Sequence, residues 1–232
     1  MSQEKAKKAA AEKATQIVQT GMVIGLGTGS TANYFIDALA ILVKQGLQLQ
    51  AVSSSNQSLQ RAERAGIAVH DINDVSHIDL TIDGADEVDP QKNLIKGAGG
   101  AHVREKIVAT ASKSMVVIID PTKVVSRLGE KKPLPVELLF FGLPSTLRQI
   151  QNLGLEASLR RQKDGSLFVT DNSGVIADIT IKNDDEAAVH TQLLQIPGVV
   201  ESGFFPQLAT KVIVGYNDGT AKIVGSLKEL NT

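Results

Sequence analysis

The 232-residue chain contains no cysteine. That excludes disulfides, thiolate nucleophiles and cysteine-based zinc sites at a stroke. It also lacks an excess of either charge: 24 Lys and Arg stand against 25 Asp and Glu, a formal charge of -1. With no global field to attract nucleic acid or an anionic membrane surface, any anion must be bound locally. Long apolar runs are missing as well. None approaches the roughly 20 residues needed to span a bilayer, and the lysine- and alanine-rich stretch from Ser2 to Thr20 has no apolar segment of the kind a signal peptide carries. It reads as a helix closed by Gly21. The expectation is a soluble chain in the cytoplasm, with no nucleic-acid or membrane partner. Hydrophobic residues make up 42% and charged residues 21%, enough to build a packed core.

The first half alternates short apolar runs with helical patterns. Strands are predicted at Met22 to Leu26, Leu49 to Val52, Ile67 to Val69, Leu80 to Ile82 and Met115 to Ile119. Helices fall near Thr31 to Gln45, Asn56 to Ala65 and Val103 to Ala111. Such alternation implies an α/β fold with a mostly parallel sheet covered on both faces. After Lys131-Lys132-Pro133 the order changes: strand 134–140, helix 145–152, strand 155–161, strand material 167–181, helix 185–195 and strand 199–204. That βαββαβ order is the ferredoxin-like α+β arrangement. Lys211 to Val214 and Lys222 to Val224 read as further strands. The expected organisation is a Rossmann-like domain over residues 1–131, a smaller ferredoxin-like domain over 132–206, and C-terminal strands over 207–232 returning to the first domain.

Three segments carry chemistry. Gly25-Leu-Gly27-Thr28-Gly29-Ser30-Thr31 joins a predicted strand to a helix, where glycines permit close approach and free N–H groups with two hydroxyls can hold a phosphate. The same glycines would serve a plain tight turn. A dinucleotide fits less well than a phosphate monoester, because Ser30 stands where G-x-G-x-x-G needs its third glycine and no acid ends the second strand. Asp83-Gly84-Ala85-Asp86-Glu87-Val88-Asp89 follows the strand Leu80 to Ile82, at the sheet end where open α/β folds bind ligands. Clustered carboxylates suit acid–base work, though a solvated acidic turn would look alike. The spacing does not match a calcium loop, and no histidine cluster points to a metal. The third segment runs Lys96-Gly97-Ala98-Gly99-Gly100-Ala101-His102-Val103-Arg104-Glu105-Lys106. Here a lysine could stabilise an oxyanion and a glutamate could act as base. Taken alone, such a glutamate is more often simply a carboxylate favoured by the first turn of a helix. His70, His77 and His190 lie apart on strand ends or a helix and form no catalytic set.

In combination these segments resemble type A ribose-5-phosphate isomerases. The resemblance continues through Asp120-Pro-Thr-Lys123, Lys132-Pro-Leu-Pro-Val-Glu137 and Ile196-Pro-Gly-Val-Val-Glu201, covering most of the chain. It implies interconversion of ribose 5-phosphate and ribulose 5-phosphate in the non-oxidative pentose phosphate pathway, without metal or cofactor, by a homodimer or homotetramer. By the same resemblance Thr28, Gly29, Ser30, Thr31 and Lys123 line the substrate site, with the lysine near the phosphate. Asp83, Gly84, Ala85, Asp86, Lys96, Gly97, Ala98 and Gly99 surround the sugar. Asp83, Asp86 and Lys96 aid ring opening and polarise its oxygens, while Glu105 transfers the proton. The chain departs from the family pattern at Ala98, Gly100 and His102, where the glycine loop is interrupted. The rival readings are a different isomerase or a CoA transferase on a related scaffold, and a sugar-phosphate-sensing regulator without turnover. For the last, no DNA-binding helix pair is visible.

Overall fold

A computed structural model of the chain describes residues 2–181 and 185–225. Residues 182–184 within the second predicted segment and 226–232 at the end of the third lie outside the described residues.

The elements in chain order are α1 (Ser2–Thr15), β1 (Val23–Leu26), α2 (Ser30–Lys44), β2 (Gln50–Ser53), α3 (Asn56–Ala65), β3 (Leu80–Asp83), β4 (Glu87–Val88), β5 (Leu94–Ile95), α4 (His102–Thr110) and β6 (Met115–Ile119). They continue with β7 (Leu134–Leu138), α5 (Leu143–Asn152), β8 (Glu156–Leu159), β9 (Val175–Thr180), α6 (Glu186–Leu194), β10 (Val199–Ser202), β11 (Phe204–Phe205), β12 (Ala209–Gly215) and β13 (Ala221–Val224).

The main sheet has six strands in the order β13-β12-β6-β3-β1-β2. Its neighbours are parallel except at the β12–β13 edge. The central strands are apolar at nearly every position, as a sheet covered on both faces requires: all five residues of β6 are buried. Phe35, Ile36 and Leu39 of α2 are fully buried and pack with Ile24, Leu26 and Ile82 of the sheet. Truncating a residue such as Phe35 to alanine typically costs about 3–5 kcal/mol. Because β1 connects to β2 on one side while β3 pairs on the other, the order reverses between β1 and β3. Their carboxyl ends therefore flank the crevice in which such sheets bind ligands.

The second sheet is antiparallel in the order β10-β7-β9-β8, with α5 and α6 contributing buried residues to its core. Numbered within this unit the order is 4-1-3-2, the ferredoxin-like arrangement. A third sheet, β11-β5-β4, was not anticipated from sequence. It lies next to both acidic and lysine-bearing segments, since Asp86 precedes β4 and Lys96 follows β5.

Several predicted boundaries need correction. The first helix stops at Thr15, and turns through Gln16, Ile17 and Val18 replace its last predicted residues. Ile67 to Val69 is no strand: Val69 makes a single parallel bridge to Ala51, and the Asp71-capped turn that follows leads the chain away. Only 175–180 of the predicted 167–181 strand is regular. Leu167 and Val169 make isolated bridges, and a turn from Thr170 to Gly174 intervenes. The predicted strand 199–204 splits at Gly203 between two sheets. A Cβ at Gly203 would lie 2.1 Å from the Lys96 carbonyl oxygen, so only glycine allows the backbones to cross there.

Candidate active site

The three segments singled out in the sequence converge on one cleft of about 320 Å³ at the carboxyl ends of β1, β3 and β6. Thr28, Gly29, Ser30 and Thr31 form one wall. Gly84, Ala85 and Asp86 follow β3, and Lys96, Gly97, Ala98 and Gly99 follow β5. Glu105 enters from α4, and Lys123 from the turn after β6. Asp83 alone of the predicted residues does not line the cleft; it is wholly buried beneath it.

At the wall, Gly29 caps α2 with φ 108° and offers no side-chain cap, leaving the first helical N–H groups open to an anion. Thr28 is held from behind by Ser54, Ser55 and Ser58. Its hydroxyl lies 2.8 Å from Ser55 Oγ and 2.9 Å from Ser54 Oγ, while Ser58 Oγ donates to the Gly27 carbonyl at 2.7 Å. Asp120 accepts from the Thr122 N–H at 2.9 Å and so shapes the short turn carrying Lys123. One contributor was missed from sequence. Lys7 of α1 donates to Ser30 Oγ at 3.0 Å, and nothing in the pattern of a lysine-rich helix marks it out.

At the floor, the Lys96 ammonium lies 2.9 Å from Asp83 Oδ2 and 3.2 Å from Glu105 Oε1, and donates to the Gly84 carbonyl at 2.5 Å. All three ionisable side chains are buried. Burial opposes the Lys96 charge, but the two carboxylates outweigh it and raise its pKa, so it stays an ammonium. Asp83 also receives the Thr28 and Gly84 N–H groups on Oδ1, at 3.0 and 2.7 Å. Burial pushes its pKa up, opposed by Lys96 and these donors. Glu105 has fewer donors: Oε2 has no hydrogen-bond partner among the described residues. Burial pushes Glu105 up to about 8, with Lys96 only partly opposing and Asp83 adding to the rise. Burial raises both carboxyls, but only Glu105 lines the cleft and keeps an oxygen with no partner among the described residues, so it is the one placed to exchange a proton with a ligand.

The acidic cluster resolves into separate tasks. Asp86 Oδ2 accepts from the Ala98 N–H at 2.8 Å, fixing the glycine loop. Glu87 points away and accepts three backbone N–H groups, from Gly129, Lys131 and Lys132, at 2.6, 2.6 and 2.7 Å. Asp89 binds Asn93 within a turn. Beside the cleft floor, Lys106 pairs with Glu201 at 2.9 Å and supports α4. His102 is buried under Gly97, its pKa lowered to about 3 by burial, so it is neutral. His70 and His77 are exposed, and His190 pairs with Ser202 at 2.7 Å.

The chain as a whole is similar to proteins of known class. The family model for ribose 5-phosphate isomerase A (phosphoriboisomerase A) matches residues 50–219. The chain belongs to the ribose-5-phosphate isomerase A family. It is 47% identical over 222 residues to the ribose-5-phosphate isomerase A of Protochlamydia amoebophila (strain UWE25), covering 95% of each chain. It is 44% identical over 215 residues to that of Bacillus mycoides (strain KBAB4), covering 92% of this chain and 96% of the relative. Among solved structures, a D-ribose-5-phosphate isomerase in complex with phospho-erythronic acid superposes with a TM-score of 0.91 at 36% identity, covering 97% and 99% of the two chains. The ribose 5-phosphate isomerase A of Methanocaldococcus jannaschii gives 0.88 at 36% identity, covering 94% and 97%. Family membership thus rests on nearly the whole chain, all three sheets included.

Proposed function

We propose that the protein interconverts ribose 5-phosphate and ribulose 5-phosphate, with Glu105 carrying a proton between C2 and C1. The observation that carries this reading is Glu105 itself: a buried carboxyl at the cleft floor, one oxygen against Lys96 and the other without a partner among the described residues, with its pKa raised to about 8. The open helix start at Gly29 to Thr31, with Lys123, receives the phosphate, and binding energy from that remote group orients the reacting carbons. Asp86 keeps Oδ1 for a sugar hydroxyl and assists ring opening. Asp83 acts through Lys96, which it holds charged and in place.

In the open-chain aldose, the Glu105 carboxylate takes the C2 proton. The C–H electrons form the C1–C2 double bond, and the C1 carbonyl oxygen becomes an oxyanion facing Lys96 and the loop N–H groups. Glu105 returns its proton to C1 while the C2 hydroxyl proton passes to the C1 oxygen, leaving the C2 ketone. Residues 1–131 supply this chemistry, and residues 132–206 support it. The cytoplasm is the compartment we assign; among the described residues no helix is long and apolar enough to cross a membrane. A homodimer or homotetramer is the assembly we assign, supported by the exposed apolar run Leu139-Phe140-Phe141. A regulator without turnover finds no support among relatives carrying an enzyme's name.

Ketose formation from ribose 5-phosphate, with arabinose 5-phosphate as control, tests the reading. Turnover of the ribose compound alone is the expected result. Turnover of neither, by folded protein, would return the regulator to first place.

A further inference from the structure

The glycine loop is held from the second sheet. Arg160, just after β8, donates through one terminal nitrogen to the Gly97 carbonyl at 2.7 Å and the Ala98 carbonyl at 3.2 Å. Its remaining nitrogens form a two-point pair with Asp178 on β9, one contact at 2.9 Å, so the guanidinium cannot swing. Phe168, beneath the same guanidinium, closes on Gly100, where a Cβ would lie 2.3 Å from its ring.

We propose that Arg160 is a positioning residue for the reaction, turning the Gly99 N–H toward the sugar; this rests on the isomerisation proposed above. The peptide from Gly97 to Ala98 is gripped at both ends, its carbonyl by Arg160 and its N–H by Asp86. In the next peptide Arg160 grips only the carbonyl, that of Ala98. Among the described residues there is no cis peptide bond, so the N–H of that unit points opposite to its carbonyl. That N–H belongs to Gly99, which lines the cleft and has no hydrogen-bond partner for it among the described residues. A donor fixed in this way costs no reorganisation when an oxyanion forms beside it. The second sheet, which contributes no residue to the cleft lining, thereby sets the geometry of the first domain's anion-stabilising group.

The test compares wild type, Arg160→Ala, Arg160→Lys and Arg161→Ala, the last altering a neighbour that binds only the Gly165 carbonyl in an exposed turn. Arg160→Ala should lower kcat by about 10–100-fold with KM within about threefold. Inhibition by phospho-erythronic acid, whose planar carboxylate presents an anion near C1, should weaken by about tenfold or more. Inhibition by inorganic phosphate, which needs only the phosphate end, should change less than about twofold. Arg160→Lys should fall between, and Arg161→Ala should match wild type. Should Arg160→Ala fail to fold through the unpaired Asp178, the double variant Arg160→Met, Asp178→Leu removes both charges and must show the same kcat loss. A kcat within about twofold of wild type, or equal weakening of both inhibitors, would overturn the proposal. If wild type itself fails to isomerise ribose 5-phosphate, the functional reading falls. The loop is then judged by amide exchange: Ala98 N–H exchange faster in Arg160→Ala than in wild type supports the clamp, and unchanged exchange overturns it.

Discussion

The Lys96 ammonium stands 3.2 Å from Glu105 Oε1, both side chains buried, and that contact partly offsets the rise that burial imposes on the proton affinity of Glu105, the base we propose. Lysine holds the negative form of Glu105 in reach, while burial and the nearby Asp83 keep its pKa high. A carboxylate fully matched by donors would be a poor base; one with no cation beside it would not ionise at neutral pH.

The first consequence concerns pH. Glu105 must be ionised to take a proton, so kcat/KM should rise about tenfold per unit below pH 8 and level off above the group's pKa of about 8. Stability should move the other way. The folded pKa lies above the usual carboxylate value, so the stabilisation from holding this proton is complete below the unfolded pKa and lost as pH rises through about 8. Thermal melts between pH 6 and 9 should show a decline that is smaller in Glu105→Gln. A kcat/KM profile flat from pH 6 to 9 would contradict the assignment.

A second consequence concerns Gly203. An alanine there would bring its Cβ to 2.1 Å from the Lys96 carbonyl oxygen, and Lys96 N–H donates to the Gly203 carbonyl at 2.9 Å. Gly203→Ala should therefore shift Lys96 as well as strain the core, lowering stability by about 1–3 kcal/mol and reducing kcat. Denaturant unfolding with parallel kinetics checks both. Unaltered kcat in a destabilised variant would show that the crossing does not position Lys96.

Lys123 stands in the turn shaped by Asp120 and lines the cleft, at the end we assign to the phosphate. Losing a charge-assisted contact typically costs about 1.5–3 kcal/mol. Lys123→Ala should weaken binding of phosphorylated ribose by that amount and leave unphosphorylated ribose almost untouched. Equal losses on the two sugars would remove Lys123 from the phosphate site.

The sequence placed the parallel sheet, the ferredoxin-like unit and nearly the whole cleft, for a physical reason. Glycine-rich turns and carboxylates at strand ends are local signals, and the order of strands and helices brings those ends together. What stayed hidden depended on contacts between distant segments. Glu87 lies one residue from Asp86 yet serves backbone donors at Gly129, Lys131 and Lys132, and no local pattern separates the two acids. The sheet β11-β5-β4 is built from two-residue strands, too short for any period to show. Arg160 lies more than 60 positions from the loop it holds. Ser54, Ser55 and Ser58 carry no local signal either, and their purpose, backing the Thr28 hydroxyl, is visible only once α3 packs against α2 and β2.

The central claim is that Glu105 alone shuttles the proton. Glutamine keeps the shape and can still bond Lys96, but it cannot accept the C2 proton. Ribose 5-phosphate kinetics of Glu105→Gln, with folding verified by circular dichroism, is the most direct measurement. The account predicts a kcat lower by at least roughly 10²–10⁴-fold, with KM within about one order of magnitude. A variant retaining more than about a tenth of wild-type kcat would contradict it and pass the role of base to Asp86 or Asp83.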